Sequence, residues 1–426
     1  WDKILWGDVG AMEIGFEICK WITIVLTIIT APITLWTVVT TLMGLRKPKE
    51  LKKLEEKQHR FAILICARNE ENVIGNLIGS LEKQKYPRDK YQVFVIADNC
   101  TDSTAQVARD NGAIVYERFN AEQRGKGFAL HFGIDKLQEN HSQDIDAICV
   151  FDADNLAAPD FLVEMNHALC SGADVALGYR DSKNVHDSWI SEVYSIYWLM
   201  LMRFYYTSRH TMNLSSMVGG TGFAFKLAAL GEEGWNTKSL TEDVEFSIQQ
   251  ICKGNKILPA RKAVFYDEQP STLDVSLKQR FRWMIGGLQC IPLYFSTIMK
   301  SVFGGNKKAL DLAWYILFIP ATGLAIPLNV VAVVGMMLNT VLSAWALPVM
   351  GITMAFGYLL AVIVAFLTLR LENKDARSMK RGIWLYPIFM FTMMCVALAA
   401  LIHPRTEWVP IVHNSKYTID DVNIAG

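Results

Sequence analysis

The chain has 426 residues, of which 51% are hydrophobic and 20% are charged, and its 42 basic residues equal its 42 acidic residues in number. This composition excludes a disordered chain, because ample apolar surface is available for burial. A nucleic-acid partner held by bulk positive charge is disfavoured, since the formal net charge is zero.

Three segments without charged residues predict membrane spans. Residues 21–45, 312–369 and 383–402 contain no Asp, Glu, Lys or Arg, and about 20 apolar residues suffice to cross a bilayer. We therefore predict an integral membrane protein. The first segment predicts one span within an N-terminal unit of residues 1–45, and residues 310–370 are long enough for two further spans.

The third segment, residues 383–402, leaves two alternatives open. Its length permits a third C-terminal span, whereas Pro387 and a weakly hydrophobic start permit a helix in the membrane interface. Residues 189–206 and 281–305 are rich in aromatic residues and Met. They predict two interfacial helices, with core helices of the soluble domain as the alternative.

The distribution of basic residues predicts an orientation in the membrane. Basic residues concentrate directly after the first span and again at residues 370–381, whereas acidic residues precede the first span. Because basic loops stay on the cytosolic side, we place the N-terminus outside and residues 46–280 in the cytosol. The expected location is the plasma membrane, with several spans.

Residues 46–280 show predicted strands that alternate with helices. Apolar runs predict strands at residues 61–67, 91–97, 113–116 and 147–151, with helices at 73–84 and from 102 to about 111. This alternation predicts an α/β domain with a mostly parallel sheet covered on both faces. The G-x-G-x-x-G and G-x-x-x-x-G-K-[ST] patterns are absent from the expected places, which disfavours a Rossmann dehydrogenase and a P-loop enzyme.

Polar residues follow three of these strands. They are Asn69, Glu70, Asp98, Asp152 and Asp154. Ligands bind outside the carboxyl ends of parallel strands, so these side chains are candidates for one site. Two carboxylates on alternate residues, as in Asp152 and Asp154, can hold a divalent cation that bridges a diphosphate.

Two later motifs each have a structural and a functional interpretation. Thr241-Glu242-Asp243 precedes a helix, where it could cap the helix or supply a general base for a sugar hydroxyl. Gln279-Arg280-Phe281-Arg282-Trp283 begins an apolar helix. There Arg could pair with phosphate and Trp could lie against a sugar ring, or both could anchor the helix at the membrane interface.

In this order and spacing, the motifs resemble those of membrane-integrated, processive family 2 glycosyltransferases, which include cellulose, chitin and hyaluronan synthases. The resemblance extends from about residue 20 to the C-terminus, and Q-x-x-R-W downstream of T-E-D is its most specific part. The matching residues are Ala67-Arg68-Asn69-Glu70, Asp98, Gly125-Lys126-Gly127, Asp152, Asp154, Gly219-Gly220-Thr221-Gly222, Thr241-Glu242-Asp243, Gln279, Arg282 and Trp283. The resemblance implies a GT-A fold, that is, a Rossmann-like mixed sheet.

The resemblance also implies a UDP-sugar donor, Mg²⁺ or Mn²⁺, inversion at the anomeric carbon, and roles for individual residues. Asp98, Asn69, Glu70 and Lys126 would hold the uridine, and Asp152 and Asp154 would hold the metal and diphosphate. Asp243 would take the proton of the acceptor hydroxyl. Arg282 would face the pyrophosphate, and Trp283 would stack on the acceptor sugar. Glu242 and Gln279 would complete the catalytic motifs, and Arg280 would join the donor-binding set.

The C-terminal tail, residues 403–426, carries a further resemblance. Trp408 and His413 are similar to the W-x-x-x-x-H element of bacterial members, although F-x-V-T-x-K is missing. By analogy with the gating loop of cellulose synthase, the tail would be cytosolic and residues 383–402 interfacial. Ordinary packing of the tail is the alternative.

The expected function is processive synthesis of a β-linked polysaccharide, extruded through a channel of the same protein. UDP-glucose is the first expectation for the donor and UDP-N-acetylglucosamine the second. Two alternatives stay open: transfer of one sugar to a lipid, and a sugar-binding or channel subunit without catalysis. The expected partners are the growing glycan, the lipid bilayer and a possible second copy of the chain, but no nucleic acid.

Overall fold

The computed structural model describes residues 2–339, 341–404 and 417–424. The strands are β1 (Phe61–Ala67), β2 (Tyr91–Asp98), β3 (Ile114–Arg118), β4 (Ala147–Asp152), β5 (Leu156–Ala157), β6 (Val175–Ser182), β7 (Phe223–Lys226) and β8 (Ile257–Asp267). The helices are α1 (Asp2–Met43), α2 (Ile74–Glu82), α3 (Thr104–Asp110), α4 (Lys126–His141), α5 (Phe161–Cys170), α6 (Trp189–Met200), α7 (Ser208–Thr211), α8 (Glu242–Cys252), α9 (Leu273–Phe303), α10 (Lys307–Leu338), α11 (Ser343–Leu371), α12 (Lys380–Ile402) and α13 (Ile419–Ile424).

The eight strands form one mixed sheet in the order β3-β2-β1-β4-β7-β6-β8-β5. Strands β1 to β4 run parallel, whereas β7 is antiparallel to both β4 and β6. The predicted α/β class is therefore confirmed, and β5 to β8 extend the sheet beyond the four predicted strands. The antiparallel β7 lies between two halves of the sheet. Strands β1 to β4 form one half, and β6, β8 and β5 form the other.

Residues of the strands alternate between two apolar cores, as the pleat of a sheet requires. Ile63 and Ile65 of β1 pack with α2 and α5 in one core, while Ala62 and Leu64 face the other. This second core contains residues of α4, α6 and α8 and continues into α9, α10 and α12. Helices α9 to α12 thus share an apolar core with this one face of the sheet.

In the part of the chain that the structure describes, four helices are long and apolar enough to cross a membrane, judged by length and composition: Gly10–Met43, Lys307–Leu338, Ser343–Leu371 and Lys380–Ile402. Helix α12, which includes the ambiguous residues 383–402, is therefore one of the candidates. Helix α6 differs, because nine of its twelve residues are buried within the protein. This burial supports the core-helix alternative for the first part of residues 189–206.

Buried ion pairs join the apolar helices to the sheet domain. Asp311 of α10 accepts hydrogen bonds from Arg209 (2.9 Å) and from the indole of Trp36 in α1 (2.7 Å). Glu372, directly after α11, pairs with Arg261 at 2.8 Å and with Arg203 at 3.6 Å. Since the carboxylates of Asp311 and Glu372 are almost fully buried, these contacts fix the helices against the domain.

Candidate active site

Strands β1, β2 and β4 end at one edge of the sheet. Their register pairs Ala67 with Ala97 and Cys66 with Asp152, so the segments that follow lie side by side. Asn69 (φ 58°), in the loop after β1, and Asn99 (φ 52°), in the loop after β2, both have a left-handed backbone conformation. Asn tolerates this conformation better than most residues do. The sheet therefore brings the loops that carry the candidate residues to one edge.

Asp98 is held by a cation that the sequence motifs did not reveal. Arg118, at the end of β3, donates a hydrogen bond of 2.6 Å to Asp98, and both side chains are buried. Burial raises the pKa of Asp98, although Arg118 opposes the shift. The Asn99 side chain donates to the same carboxylate oxygen at 2.9 Å. Asp98 is thus fixed in orientation before any ligand binds.

The loops after β1 and β2 are tied to each other. The Asn69 side chain accepts a hydrogen bond from the backbone N–H of Thr101 at 2.8 Å. The backbone N–H of Glu70 donates to the hydroxyl of Thr104 at 2.8 Å. Asn69 and Glu70 therefore shape the rim of a cleft beside Asp98.

Lys126 lies among acids rather than beside Asp98. As the first residue of α4, it donates hydrogen bonds to Asp152 and to the carbonyl of Gly220 (2.8 Å), and its ammonium is 3.9 Å from Glu242. Burial lowers the pKa of Lys126, but the charges of Asp152 and Glu242 outweigh burial and hold the pKa above its usual value. Lys126 consequently connects the strand-end acids with the T-E-D motif.

Glu242 and Asp243 are the first two residues of α8. Burial raises the pKa of Glu242 to about 7, with Lys126 opposing and the charge of Asp243 adding to the shift. Burial also raises the pKa of Asp243, against the opposing effects of the Val244 N–H and Lys126. Thr241 occupies the N-cap position of α8 with the two acids in the first turn, as the cap interpretation expects, but its side chain makes no capping hydrogen bond.

Asp152 and Asp154 suit a divalent cation that takes other ligands from a substrate. The Asp152 side chain is 39% exposed and already binds the Lys126 cation, whereas Asp154 is buried. Among the described residues, no cluster of three His, Cys, Asp or Glu side chains could hold a metal. Mg²⁺ is commonly bound by one or two carboxylates together with substrate phosphates, and the aspartate pair fits that mode.

Gln279, Arg282, Trp283 and Gly286 share one face of α9, because an α-helix turns about 100° per residue. This face meets the T-E-D motif: a Cβ on Gly286 would lie 2.8 Å from the backbone nitrogen of Thr241. The ring of Trp283 is 5.6 Å from that of Trp198. The spacing of Q-x-x-R-W thus places the side chains of Gln279, Arg282 and Trp283 on one face of the helix.

Arg280 lies on another side of α9 and points away from the acids. Its guanidinium donates to Thr392 (2.9 Å) and to the carbonyl of Phe389 (3.1 Å), both in α12, and the residue is fully buried. Helix α9 begins at Leu273, so Arg280 lies two turns inside the helix rather than at its start. The structure therefore does not place Arg280 with the predicted donor-binding residues.

The predicted tail residues Trp408 and His413 lie outside the described residues. Beyond this gap, α13 contacts the sheet domain: Asp420 forms a 2.6 Å ion pair with Lys83, and Ile419 is buried. The end of the described chain thus returns to the domain near α2.

Residues 59–286 match the protein family described as "Glycosyltransferase like family 2". The match covers more than half of the chain, and it contains the strand-end acids, T-E-D and Q-x-x-R-W. This chain belongs to that family. The family 2 chain is also 26% identical over 303 residues to the beta-monoglucosyldiacylglycerol synthase of Nostoc sp., covering 65% of this chain and 61% of the relative.

A second family 2 relative is the poly-beta-1,6-N-acetyl-D-glucosamine synthase of Staphylococcus aureus, 26% identical over 246 residues, which cover 57% of this chain and 58% of the relative. This chain therefore spans about three fifths of these relatives. The solved mannosyltransferase PcManGT from Pyrobaculum calidifontis, in complex with GDP-Man and Mn²⁺, superposes with a TM-score of 0.60 at 17% identity, covering 91% of this chain and all of that chain. The expected GT-A-like fold is confirmed.

Several side chains at the candidate site carry no motif of their own. They are Arg118, Asn155, Arg180, Trp198 and Asp267. Arg180 lies near the end of β6 and Asp267 ends β8, as Asp152 ends β4. The short apolar start of β6 could have indicated Arg180, whereas Pro259 and Arg261 interrupt the apolar pattern of β8 and conceal Asp267.

Proposed function

We propose that this chain is an inverting, metal-dependent hexosyltransferase that uses a UDP-sugar and extends a β-linked polysaccharide. The observation that carries the proposal is the joining of Asp152, Glu242 and Gly220 by Lys126, with Asp243 next to Glu242 at the start of α8. This cluster puts a metal-type carboxylate and Glu242, the residue before the candidate base, on either side of one cation.

The donor is assigned to the side of the cleft formed by β1, β2 and β4. Asp98, with Asn69 and Glu70 at the rim, would bind the uridine. Asp152 and Asp154 would hold Mg²⁺ or Mn²⁺ against the diphosphate, and the bound metal would offset negative charge on the leaving group. The Mn²⁺ and GDP-Man bound to PcManGT support this arrangement by analogy of fold.

The acceptor is assigned to the side formed by α8 and α9. Asp243 would take the proton of the acceptor hydroxyl as its oxygen bonds to the anomeric carbon. The bond between that carbon and the diphosphate oxygen breaks on the opposite face, so an α-linked donor gives a β-linked product and UDP leaves. Arg282 would stabilise the diphosphate charge, and Trp283 would support the terminal sugar.

A polymeric product is the first candidate. Trp283 adjoins an aromatic cluster with Tyr194 and Trp198 of α6 and Phe389 of α12. Aromatic faces suit sugar rings, and the cluster leads from the site toward the apolar helices. We infer a cytosolic site, a glycan path along these helices and UDP-glucose as donor, with UDP-N-acetylglucosamine second. The S. aureus relative, named for a β-linked polymer, supports this class of product.

Transfer of one sugar to a lipid is the second candidate. The Nostoc relative is named for a glucosyl lipid, and the apolar helices α10 and α12, which would admit a lipid, pack against α9. Purified protein incubated with labelled UDP-sugars and Mn²⁺ would separate the candidates by product size. A high-molecular-weight product that β-glycanases degrade supports the polymer. A labelled product that extracts with lipids supports transfer to a lipid and contradicts polymer synthesis. The absence of UDP release with every donor would contradict both candidate functions.

A further inference from the structure

Arg180 makes three different contacts from the end of β6. Its guanidinium lies 3.8 Å above the centre of the Trp198 ring, and one of its nitrogens donates to the carbonyl of Gly219. A second nitrogen is 3.4 Å from the carboxylate of Asp267, and only 12% of the Arg180 side chain is exposed. The planar group is therefore held on its face and along its edge.

On one side, these contacts extend to the strand-end acids. Asp267 accepts a 2.8 Å hydrogen bond from the Asn155 side chain. The hydroxyl of Thr221 donates to Asn155 and accepts from the backbone N–H of Asp152 at 2.8 Å. One ion pair, between Arg180 and Asp267, and the hydrogen bonds that follow it thus connect Arg180 to the end of β4.

On the other side, Arg180 supports the surface around Asp243. The Gly219–Gly220 segment lies beside both Lys126 and Asp243. The Gly220 carbonyl accepts a hydrogen bond from Lys126 at 2.8 Å, and a Cβ on Gly220 would lie 3.6 Å from the Asp243 carboxylate. Gly220 has φ 86°, a conformation that favours glycine. Trp198, on the face of Arg180, contacts Trp283.

We propose that Arg180 is a positioning residue for the acceptor sugar. It fixes the Trp198 ring and the Gly219–Gly220 peptide, which together form the wall beside Asp243 against which the acceptor rests. The role needs an arginine, since a lysine ammonium cannot stack on a ring and bridge two acceptors in one plane. This inference rests on the proposed glycosyltransferase function, and it assigns Arg180 to the acceptor and not to the donor.

The test separates donor binding from acceptor transfer. Arg180→Gln and Arg180→Lys are compared with the wild type, and Arg60→Gln is the matched control because Arg60 pairs with Asp146 at the opposite edge of the sheet. UDP affinity is measured by calorimetry, donor hydrolysis by UDP release without acceptor, and transfer by labelled product. A misplacement of about 1 Å at a reacting centre can cost about 10²-fold in rate. We expect at least that loss of transfer in both Arg180 variants, with UDP affinity and donor hydrolysis within about threefold of wild type.

Parallel loss of UDP binding, hydrolysis and transfer would overturn the inference, as would full transfer activity of Arg180→Lys. Asp267→Asn is a second variant, which keeps Arg180 but removes the charge of its partner. Like the Arg180 variants, it should lower the rate of transfer relative to the rate of donor hydrolysis. Wild-type protein that releases no UDP with any donor would instead overturn the proposed function itself.

Discussion

The ammonium of Lys126 is hydrogen-bonded to the carboxylate of Asp152, the first of the two acids assigned to the metal. A protein cation therefore neutralises Asp152 before donor binds. Two cations on one carboxylate repel each other, so a metal must displace the ammonium or tolerate it.

The first prediction concerns metal affinity without donor. Lys126→Met removes the competing cation, and we expect Mn²⁺ to bind at least about tenfold more tightly, since even a screened charge at a few ångströms contributes more than 1 kcal/mol. Titration of the free Mn²⁺ electron paramagnetic resonance signal measures the affinity. Lys136→Met, on the same helix in an exposed pair with Glu139, is the control. Equal Mn²⁺ affinity of Lys126→Met and wild type would contradict the prediction.

The second prediction concerns the base. Asp243→Asn keeps the shape of the side chain but cannot accept the proton, so transfer should fall by about 10²- to 10⁴-fold. UDP affinity, measured by calorimetry, should change little because the proposal assigns Asp243 to the acceptor and not to the donor. Transfer at the wild-type rate would remove Asp243 from the mechanism.

The third prediction concerns pH. Burial raises the pKa of Asp243, and a base must be ionised, so activity should fall on the acidic side at a higher pH than for an exposed aspartate. Burial raises the pKa of Glu242 to about 7, so Glu242 is mostly neutral in acidic solution and places little negative charge beside Asp243 there. The acidic limb of kcat/KM against pH should therefore stay near its wild-type position in Glu242→Gln, which keeps the shape of a neutral Glu242. A limb that moves by a full pH unit in this variant would show that Glu242, and not Asp243, controls it.

The fourth prediction tests the contact between α9 and the T-E-D motif. An alanine at Gly286 would put its Cβ within 2.5 Å of the Thr241 side chain and 2.8 Å from its backbone nitrogen, so Gly286→Ala must separate the two segments. We expect transfer to fall by at least about tenfold, because Asp243 and Trp283 lose their relative positions. Gly79→Ala in α2 is the control, since its Cβ would meet no atom within 4 Å. Similar activities of the two variants would show that this contact does not matter.

The fifth prediction concerns the stability of the helix attachment. Asp311→Ala leaves the buried guanidinium of Arg209 without its carboxylate, and loss of one partner of a buried pair costs about 3–5 kcal/mol. The midpoint of thermal unfolding in detergent should drop clearly. Glu56→Ala, which breaks an exposed pair with Lys53, should leave the midpoint unchanged. Equal midpoints for both variants would mean that the Asp311 pair does not stabilise the assembly.

The first half of the sheet and its acids were predictable because each strand is a continuous apolar run that ends in a polar residue. The shortness of these runs, their β-branched and aromatic residues and the polar residues that follow identify such strands, and strand direction then places Asp98 and Asp152 at one edge. The later strands were missed for local reasons: β5 has two residues, β7 has four, and β8 contains Pro259 and Arg261.

Contacts between distant residues were not predictable from local pattern. Arg180 meets Trp198, Gly219 and Asp267 only once the sheet has formed, and none of these contacts has a fixed spacing. Arg280 joins the donor-binding set through the family resemblance, which does not say where a helix turns each side chain. One position along α9 from Gln279 rotates Arg280 by about 100°, and its guanidinium meets α12 instead.

The buried ion pairs between sheet and helices also determine how the chain can be divided. A truncated protein that ends near residue 305 would keep Arg209 and Arg261 but lose Asp311 and Glu372, and it would leave these cations in an apolar contact surface without counter-charges. Such a fragment would be prone to aggregate in water even though its sheet has a soluble composition. A water-soluble version would require removal of the apolar helices and polar replacements for the apolar residues that they cover, whereas the newly exposed arginines would be hydrated in place.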